Sequence, residues 1–496
     1  MPRSVSALRI SNPVASTLAA NRLGVPAVIF FVLSAATPLT VVAGVVTTGY
    51  GTTGLIGMAA AFALVGVLLA TFSVGYVAMA RRVGNAGAFY SYLARGLGRP
   101  WGVGGAWVAL LAYNALQTGL YGAIGAAATP LLDQWAGLHP PWWAVAGIAW
   151  ALTAVLGLLR VDVNGTVLAV LLLAEVAVIT VFSIADLLHP AGGRVSLLAL
   201  SPGNLVGPGA GAMLILAVLG FVGFESAVVF SEESKNPRRT IALATYLSVG
   251  LVAALYTLAA WAMTVAVGPD RIAAVSREQG TEVIFNLAGA HLGSLARDIG
   301  HVLFVTSLLA AMIAFHNTTS RYMFALGREG VLPGRLGRTA LSTGSPSAAS
   351  MVQSGIGLTV ITIYAVAGWD PLVRLFYWGG TAGGLGVLFL IASTALAVVV
   401  FFTRHPSGEH LWRRRIAPLL AVVALVVVVV LAVGNIPTLL GVPGGHPLTW
   451  AVPTGYLIAA AGGTAWGCLL RTTRPEVYRR IGLGAKAATC WAETGR

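Results

Sequence analysis

Two carboxylic acids in this sequence stand where water is scarce. Glu175 lies in the run Leu171-Leu172-Leu173-Ala174-Glu175-Val176, and Glu225 lies in Gly220-Phe221-Val222-Gly223-Phe224-Glu225-Ser226. An unpaired carboxylate inside an apolar span is costly, so each must be protonated, paired or close to water. Either one could exchange a proton during a working cycle, which makes both candidates for a proton-coupling role. Either could equally be a neutral acid donating one interhelical hydrogen bond. Asp186, near a span end, reads as interfacial.

A second kind of chemistry comes from backbone rather than side chains. In Ser34-Ala35-Ala36-Thr37-Pro38-Leu39-Thr40 the proline removes a donor and clashes with the preceding turn, which breaks or kinks a helix. With the break at Thr37, that residue would cap a new half-helix and Pro38 would occupy its first position. The N–H groups of Leu39 and Thr40 would then face the gap at a positive helix end and suit a carboxylate. Gly220 and Gly223, flanking Phe221 and Val222 ahead of Phe224 and Glu225, mark a second candidate break. Carbonyls freed around Phe221–Phe224 would suit an ammonium, and the ring of Phe221 or Phe224 could close over a bound solute.

Further polar groups gather on two helices. Asn114, Gln117 and Tyr121 fall at i, i+3 and i+7 on one helical face with Tyr113 at its edge, so this stripe must face protein or a water-filled cavity. Helix packing and substrate contact both fit it. His316 to Arg321 form a polar cluster that reads as an interfacial helix end or, less simply, an ion site. The eight His are scattered, and with only Cys468 and Cys490 no disulfide framework, metal set or cofactor motif is expected. No convergent set for an enzyme is present either.

The elements that must position these groups are apolar helices. The chain is 57% hydrophobic and 9% charged, against about 25% charged for a soluble domain. Apolar runs recur along its whole length, each able to fill the roughly 20 residues a helix needs to cross a bilayer. The windows fall at about residues 25–50, 53–80, 102–128, 142–159, 165–188, 209–230, 240–267, 297–319, 348–368, 372–402, 416–434 and 449–470, numbered here as spans 1 to 12. No cleavable leader is expected ahead of span 1, because residues 1–21 are polar and basic. All but five of the 30 Lys and Arg fall on the side shared by both termini; the five are Arg194, Arg271, Arg277, Arg297 and Arg374. By the positive-inside rule the termini are cytoplasmic. The net charge of +14 is therefore a topology signal rather than a nucleic-acid footprint. Trp142, Trp143, Trp369 and Trp450 fall at the other ends of spans, as interfacial anchors do.

The motifs resemble those of the amino acid-polyamine-organocation permease family. Arg82-Val83-Gly84-Asn85-Ala86-Gly87-Ala88-Phe89-Tyr90-Ser91-Tyr92, with Gly96-Leu97-Gly98-Arg99-Pro100, resembles the segment that family carries after span 2. Phe221 to Glu225 followed by Ser231-Glu232-Glu233-Ser234-Lys235-Asn236-Pro237-Arg238-Arg239 resembles its span 6 signature. Ser320 to Pro333 resembles its segment after span 8. The resemblance runs in order over nearly the whole chain. It implies an all-α integral membrane fold of twelve transmembrane helices: a five-plus-five inverted repeat of the leucine-transporter kind, with broken helices 1 and 6, plus two further helices.

On that basis the chain divides into a cytoplasmic tail 1–24, a ten-helix core 25–402 with repeats at about 25–188 and 209–402, helices 11 and 12 within 403–470, and a second cytoplasmic tail 471–496. The family's glycine-rich span 1 motif corresponds to Ala36-Thr37-Pro38-Leu39-Thr40 with Gly44, so both glycines of the break are replaced. The lysine that proton-coupled members often carry in span 5 is absent, and Glu175 is the nearest charged group. The expected function is secondary transport of amino acids or related amines by alternating access in the cell membrane, coupled to protons or run as exchange. The alternative is a membrane sensor or binding subunit without turnover. The expected substrate contacts are Ala36, Thr37, Pro38, Leu39, Thr40, Tyr113, Gln117, Phe221, Val222, Gly223 and Phe224.

Overall fold

The computed structural model describes residue 18 and residues 20–83, 85–340, 343–405, 408–485 and 487. Most of the tail 1–24, Gly84 of the loop motif, Cys490 and the end of the tail 471–496 lie outside the described residues. Among the described residues the regular structure is helical, and an isolated β-bridge joins Leu23 to Ser234. Among the described residues nine helices are long and apolar enough to cross a membrane, and they coincide with spans 1, 2 and 5 to 11. Spans 3, 4 and 12 fall on Arg99–Ala136, Trp142–Leu158 and Leu448–Thr473. The second of these is shorter, at 17 residues. The other two carry more polar and small residues along their length.

Prolines open several of these helices. Pro26, Pro100, Pro237, Pro371 and Pro418 occupy first-turn positions, where a missing N–H leaves nothing unpaired. Where helices pack closely, small residues let them. A Cβ on Gly463 would lie 2.8 Å from the Cα of Gly104, and one on Gly467 would lie 2.8 Å from the Cα of Pro100. Span 12 is thereby seated against span 3 at backbone distance, the usual way helices associate in lipid. The face that packs against nothing is aliphatic. Leu419, Leu420, Val423, Val426, Val427 and Val430 of span 11 are all exposed, which in water would be a large apolar patch. Trp143, Trp369 and Trp450 are also exposed.

The two ends of the described chain meet on one face. Arg22 and Leu23 donate their N–H groups to the Glu233 carbonyl at 2.9 and 3.0 Å. From the other end, the N–H groups of Gly482 and Gly484 reach the Glu329 carboxylate at 2.6 and 2.7 Å. This side is called the tail face below.

Candidate functional site

Span 1 does break where Pro38 stands. Its first half, Val25–Ala35, ends one turn early, and Thr37 takes a left-handed backbone (φ 47°, ψ 63°) before helix resumes at Pro38–Thr40. A wide helical turn then runs over Val41–Val46 and continues into Thr47–Thr53. Thr37 precedes the new helix, but its side chain makes no capping bond. A left-handed non-glycine residue is strained and persists only where its surroundings enforce it.

Span 6 breaks as well. Ala210–Gly220 ends, Gly223 adopts φ 114°, and the tighter helix Phe224–Phe230 follows. At that φ a side chain is disfavoured, and here there is no room for one: an added Cβ would lie 2.8 Å from both the carbonyl carbon and the Cβ of Ala35, and 2.9 Å from the Ala36 nitrogen. The two breaks therefore touch, backbone against backbone.

Polar side chains from neighbouring spans satisfy the groups that the breaks release. Tyr256 of span 7 donates its hydroxyl to the Ala36 carbonyl at 2.8 Å. Tyr76 of span 2 donates to the Glu225 carbonyl at 2.9 Å. Both acids are used in the same way. Glu225 is fully buried; one oxygen accepts from the Gly223 N–H at 2.9 Å and the other from the Tyr113 hydroxyl at 3.0 Å. Glu175 accepts from Ser307 Oγ of span 8 at 2.8 Å and, at a long 3.5 Å, from the Leu39 N–H. Thr40 Oγ1 reaches Ser307 Oγ at 3.5 Å. The positive end of the second half-helix of span 1 thus already has a carboxylate beside it, supplied by the protein.

Beside the breaks lies a cavity of about 150 Å³. Of the residues expected from the sequence, Ala36, Thr37, Thr40 and Val222 line it. Pro38, Leu39, Tyr113, Gln117, Phe221, Gly223 and Phe224 are placed behind that lining. Phe221 packs on Phe62 and Tyr256, and Phe224 on Phe72, toward spans 2 and 7. The carbonyls of Phe221 and Gly223 are taken up in local turns by the N–H groups of Phe224 and Ser226. Gln117 belongs to a buried network: its Nε2 lies 3.3 Å from His316 Nδ1, its Oε1 accepts from Gln353 at 2.7 Å, and His316 Nε2 meets Ser350 Oγ at 2.8 Å. The polar stripe of span 3 is packed against spans 8 and 9.

The aromatic rings that do face the cavity are Phe315 of span 8 with Phe376 and Tyr377 of span 10, and beside them stand Leu116 and Leu120 of span 3. None of these was singled out in the sequence. Their types are ordinary for a membrane helix, and only the packing of spans 3, 8 and 10 around the breaks reveals them.

From the breaks the cavity extends along Val41, Val45 and Thr48, away from the tail face. The tail face itself is fastened by buried ion pairs. Arg321 forms a two-pronged pair with Glu233 at 2.5 and 3.0 Å and lies over the Phe230 ring. Arg328 does the same with Glu232 at 2.7 and 2.6 Å. Glu329, fully buried, accepts from Asn85, Tyr90, Gly482 and Gly484. These groups gather the motif segments after spans 2, 6 and 8 into one cluster.

A multi-pass helical membrane protein with two touching helix breaks and a cavity beside them is the class that this geometry defines. The chain belongs to the amino acid permease family, whose sequence profile matches residues 23–459. That membership places it in the amino acid-polyamine-organocation superfamily. It is 24% identical over 192 residues to the branched-chain amino acid permease BcaP of Bacillus subtilis, a stretch covering 39% of this chain and 38% of that one. It is 26% identical over 295 residues to the low-affinity putrescine importer PlaP of Escherichia coli K12, covering 57% and 61% respectively. A third relative, the chloroplastic cationic amino acid transporter 7 of Arabidopsis thaliana, is 27% identical over 191 residues, covering 37% and 29%. The chain thus spans less than two thirds of the length of these curated relatives.

Proposed function

We propose that this chain is a secondary active transporter of amino acids or related amines that works by alternating access, driven by protons or by exchange. In this reading the chain crosses the cell membrane twelve times. The core 25–402 forms two inverted repeats, at about 25–188 and 209–402, followed by helices 11 and 12 within 403–470. The tails 1–24 and 471–496, and with them the tail face, are cytoplasmic. The family and the names of its relatives, a branched-chain amino acid permease and a putrescine importer, support the substrate class.

The observation that carries the reading is the contact of Gly223 with Ala35 and Ala36, since paired breaks facing each other mid-membrane are where transporters of this build hold their solute. The cavity beside that contact runs toward one face while buried ion pairs close the other, which supports a state open to the opposite side of the membrane. Substrate contacts would come from Ala36, Thr37, Thr40 and Val222 on the cavity wall. Pro38, Leu39, Tyr113, Gln117, Phe221, Gly223 and Phe224 would act from behind it by shaping the breaks. Glu175, bridging the span 1 break to Ser307 of span 8, is the leading coupling group, and Glu225 is the second.

Uptake of radiolabelled amino acids and amines into proteoliposomes, with and without an imposed pH gradient, tests the proposal. Flux of at least one of them above empty vesicles is expected. Binding of a solute with no flux or counterflow would point instead to a sensor that has kept the fold.

A further inference from the structure

Resting on the transport reading above, we infer that the solute is an uncharged aliphatic α-amino acid, of about valine to methionine size, and not a diamine or a cationic amino acid. The cavity beside the breaks has a polar end and a largely apolar wall, with the neutral side chains of Thr48, Tyr377 and Thr381 also lining it. The polar end is formed at Thr37 and Thr40, where span 1 is interrupted. The wall is formed by Leu116, Leu120, Leu216, Leu219, Phe315 and Phe376. Among the described residues none that lines the cavity is Asp, Glu, Lys, Arg or His.

A solute held here places its ammonium and carboxylate at the Thr37–Thr40 end, where the Thr37 side chain makes no capping bond and the Thr40 side chain lines the cavity, and its own side chain on leucine and phenylalanine. An aliphatic side chain gains from that burial, by about 25 cal/mol for each Å² taken from water. A second ammonium on the same wall would lose its water and meet no counter-charge, which costs several kcal/mol per ion.

The two buried acids nearby do not supply that counter-charge. Glu225 has both carboxylate oxygens occupied, by Gly223 and Tyr113, whereas Glu175 takes the bonds from Leu39 and Ser307 on one oxygen, Oε2, and is absent from the cavity lining. Neither faces the cavity. The rings of Phe315, Phe376 and Tyr377 would attract a cation, but ring faces are neutral groups and replace the lost hydration only in part.

Size bounds the side chain without separating it from a diamine. An engineered cavity of about 150 Å³ lined by aliphatic and aromatic side chains admits benzene, a six-carbon solute. The cavity here is also about 150 Å³. Beside Gly44 and Gly380, which both line it, a Cβ would find no atom within 4 Å, so some room remains for a branched side chain.

The test is counterflow in proteoliposomes loaded in turn with leucine, isoleucine, valine, methionine, lysine, arginine and putrescine. Exchange of the four aliphatic solutes should exceed that of the three cations by roughly a hundredfold, the ratio that about 2.7 kcal/mol gives. Exchange of lysine or putrescine as fast as leucine would overturn the inference and leave transport standing. No exchange of any solute would overturn both.

A second arm places a carboxylate in the cavity with Thr381→Asp, at a lining position that is already polar. The lysine-to-leucine exchange ratio should rise at least about tenfold, and an unchanged ratio in a variant that still exchanges leucine counts against the inference. Ligand-induced thermal stabilisation of the purified protein gives the same comparison without turnover: leucine should raise the melting temperature and putrescine should not. The reverse pattern would overturn the assignment.

Discussion

The hydroxyl of Tyr256, on span 7, donates to the carbonyl of Ala36 at the break in span 1, with 2.8 Å between the oxygens. It satisfies a carbonyl at the place where the helix ladder is interrupted. A break of this kind persists only if its freed groups find partners nearby. Tyr256→Phe keeps the ring contacts with Phe62 and Phe221 and removes that one donor. The expected cost is about 1–3 kcal/mol, the penalty of a buried acceptor left unpaired. It should appear as a lowered melting temperature in detergent, with a smaller effect for Tyr364→Phe at the exposed end of span 9.

Gly223→Ala should be far more damaging. The residue sits at φ 114°, and its Cβ would press on the Ala35 and Ala36 backbone at 2.8 to 2.9 Å. Backbone strain alone costs of order 1–3 kcal/mol, and the contact between the breaks must also open. Uptake should fall at least tenfold, while Gly250→Ala, where a Cβ meets no atom within 4 Å, should leave uptake unchanged. Equal behaviour of the two variants would show that the breaks need not touch.

Glu175→Gln preserves an oxygen to accept from Ser307 and Leu39 but cannot exchange a proton. If Glu175 is the coupling group, uphill accumulation under a pH gradient should collapse while solute exchange at equal pH continues. Loss of both activities together would make the residue structural, and retention of both would move coupling to Glu225 or another group.

The pair of Arg321 with Glu233 is buried on both sides, with side-chain exposures of 2% and 1%. Arg321→Met should destabilise the protein by about 3–5 kcal/mol, because it strands a carboxylate. The double variant Arg321→Met, Glu233→Gln should recover much of that loss. Thermal unfolding of the single and double variants reads the difference, and equal melting temperatures for both would show that the stranded charge is not the cause.

Gly380→Leu extends a side chain into open cavity. It should reduce exchange of leucine and methionine more than exchange of alanine, by about tenfold in the ratio, since filling the wall removes room for a long side chain without touching the polar end. A uniform loss across the three solutes would mean that Gly380 serves the helix and not the cavity.

Much of the scaffold is legible from local rules. Pro38 announces the first break because a proline cannot continue a helix ladder, and Gly220 with Gly223 announces the second. What single residues do not reveal is which way side chains turn once the spans pack. Phe221 and Phe224 sit at the second break in the sequence, yet their rings turn toward spans 2 and 7, where Phe62, Tyr256 and Phe72 receive them. Phe315 and Phe376 reach the cavity from spans far away in the chain, and nothing in their neighbourhoods distinguishes them from other phenylalanines in apolar runs. The partners of Glu175 and Glu225 were hidden for the same reason: Ser307 is 132 residues from Glu175, and Tyr113 is 112 residues from Glu225. Among the described residues local hydropathy marks nine helices as able to cross a membrane, while Arg99–Ala136, Trp142–Leu158 and Leu448–Thr473 are helical where apolar windows stood but their polar, small or few residues weaken that signal.

The seat of Glu329 bears on how the protein is made. Two of its four donors, the N–H groups of Gly482 and Gly484, are 153 and 155 residues further along the chain. At about 5–20 residues per second a ribosome needs on the order of ten seconds to deliver them. Until then Glu329 has only Asn85 and Tyr90 to hold it, and the fastening of the tail face is incomplete. During synthesis there is therefore an interval in which Glu329 has been made and this lock is still open, and the segment that carries Gly482 and Gly484 is the one that shuts it.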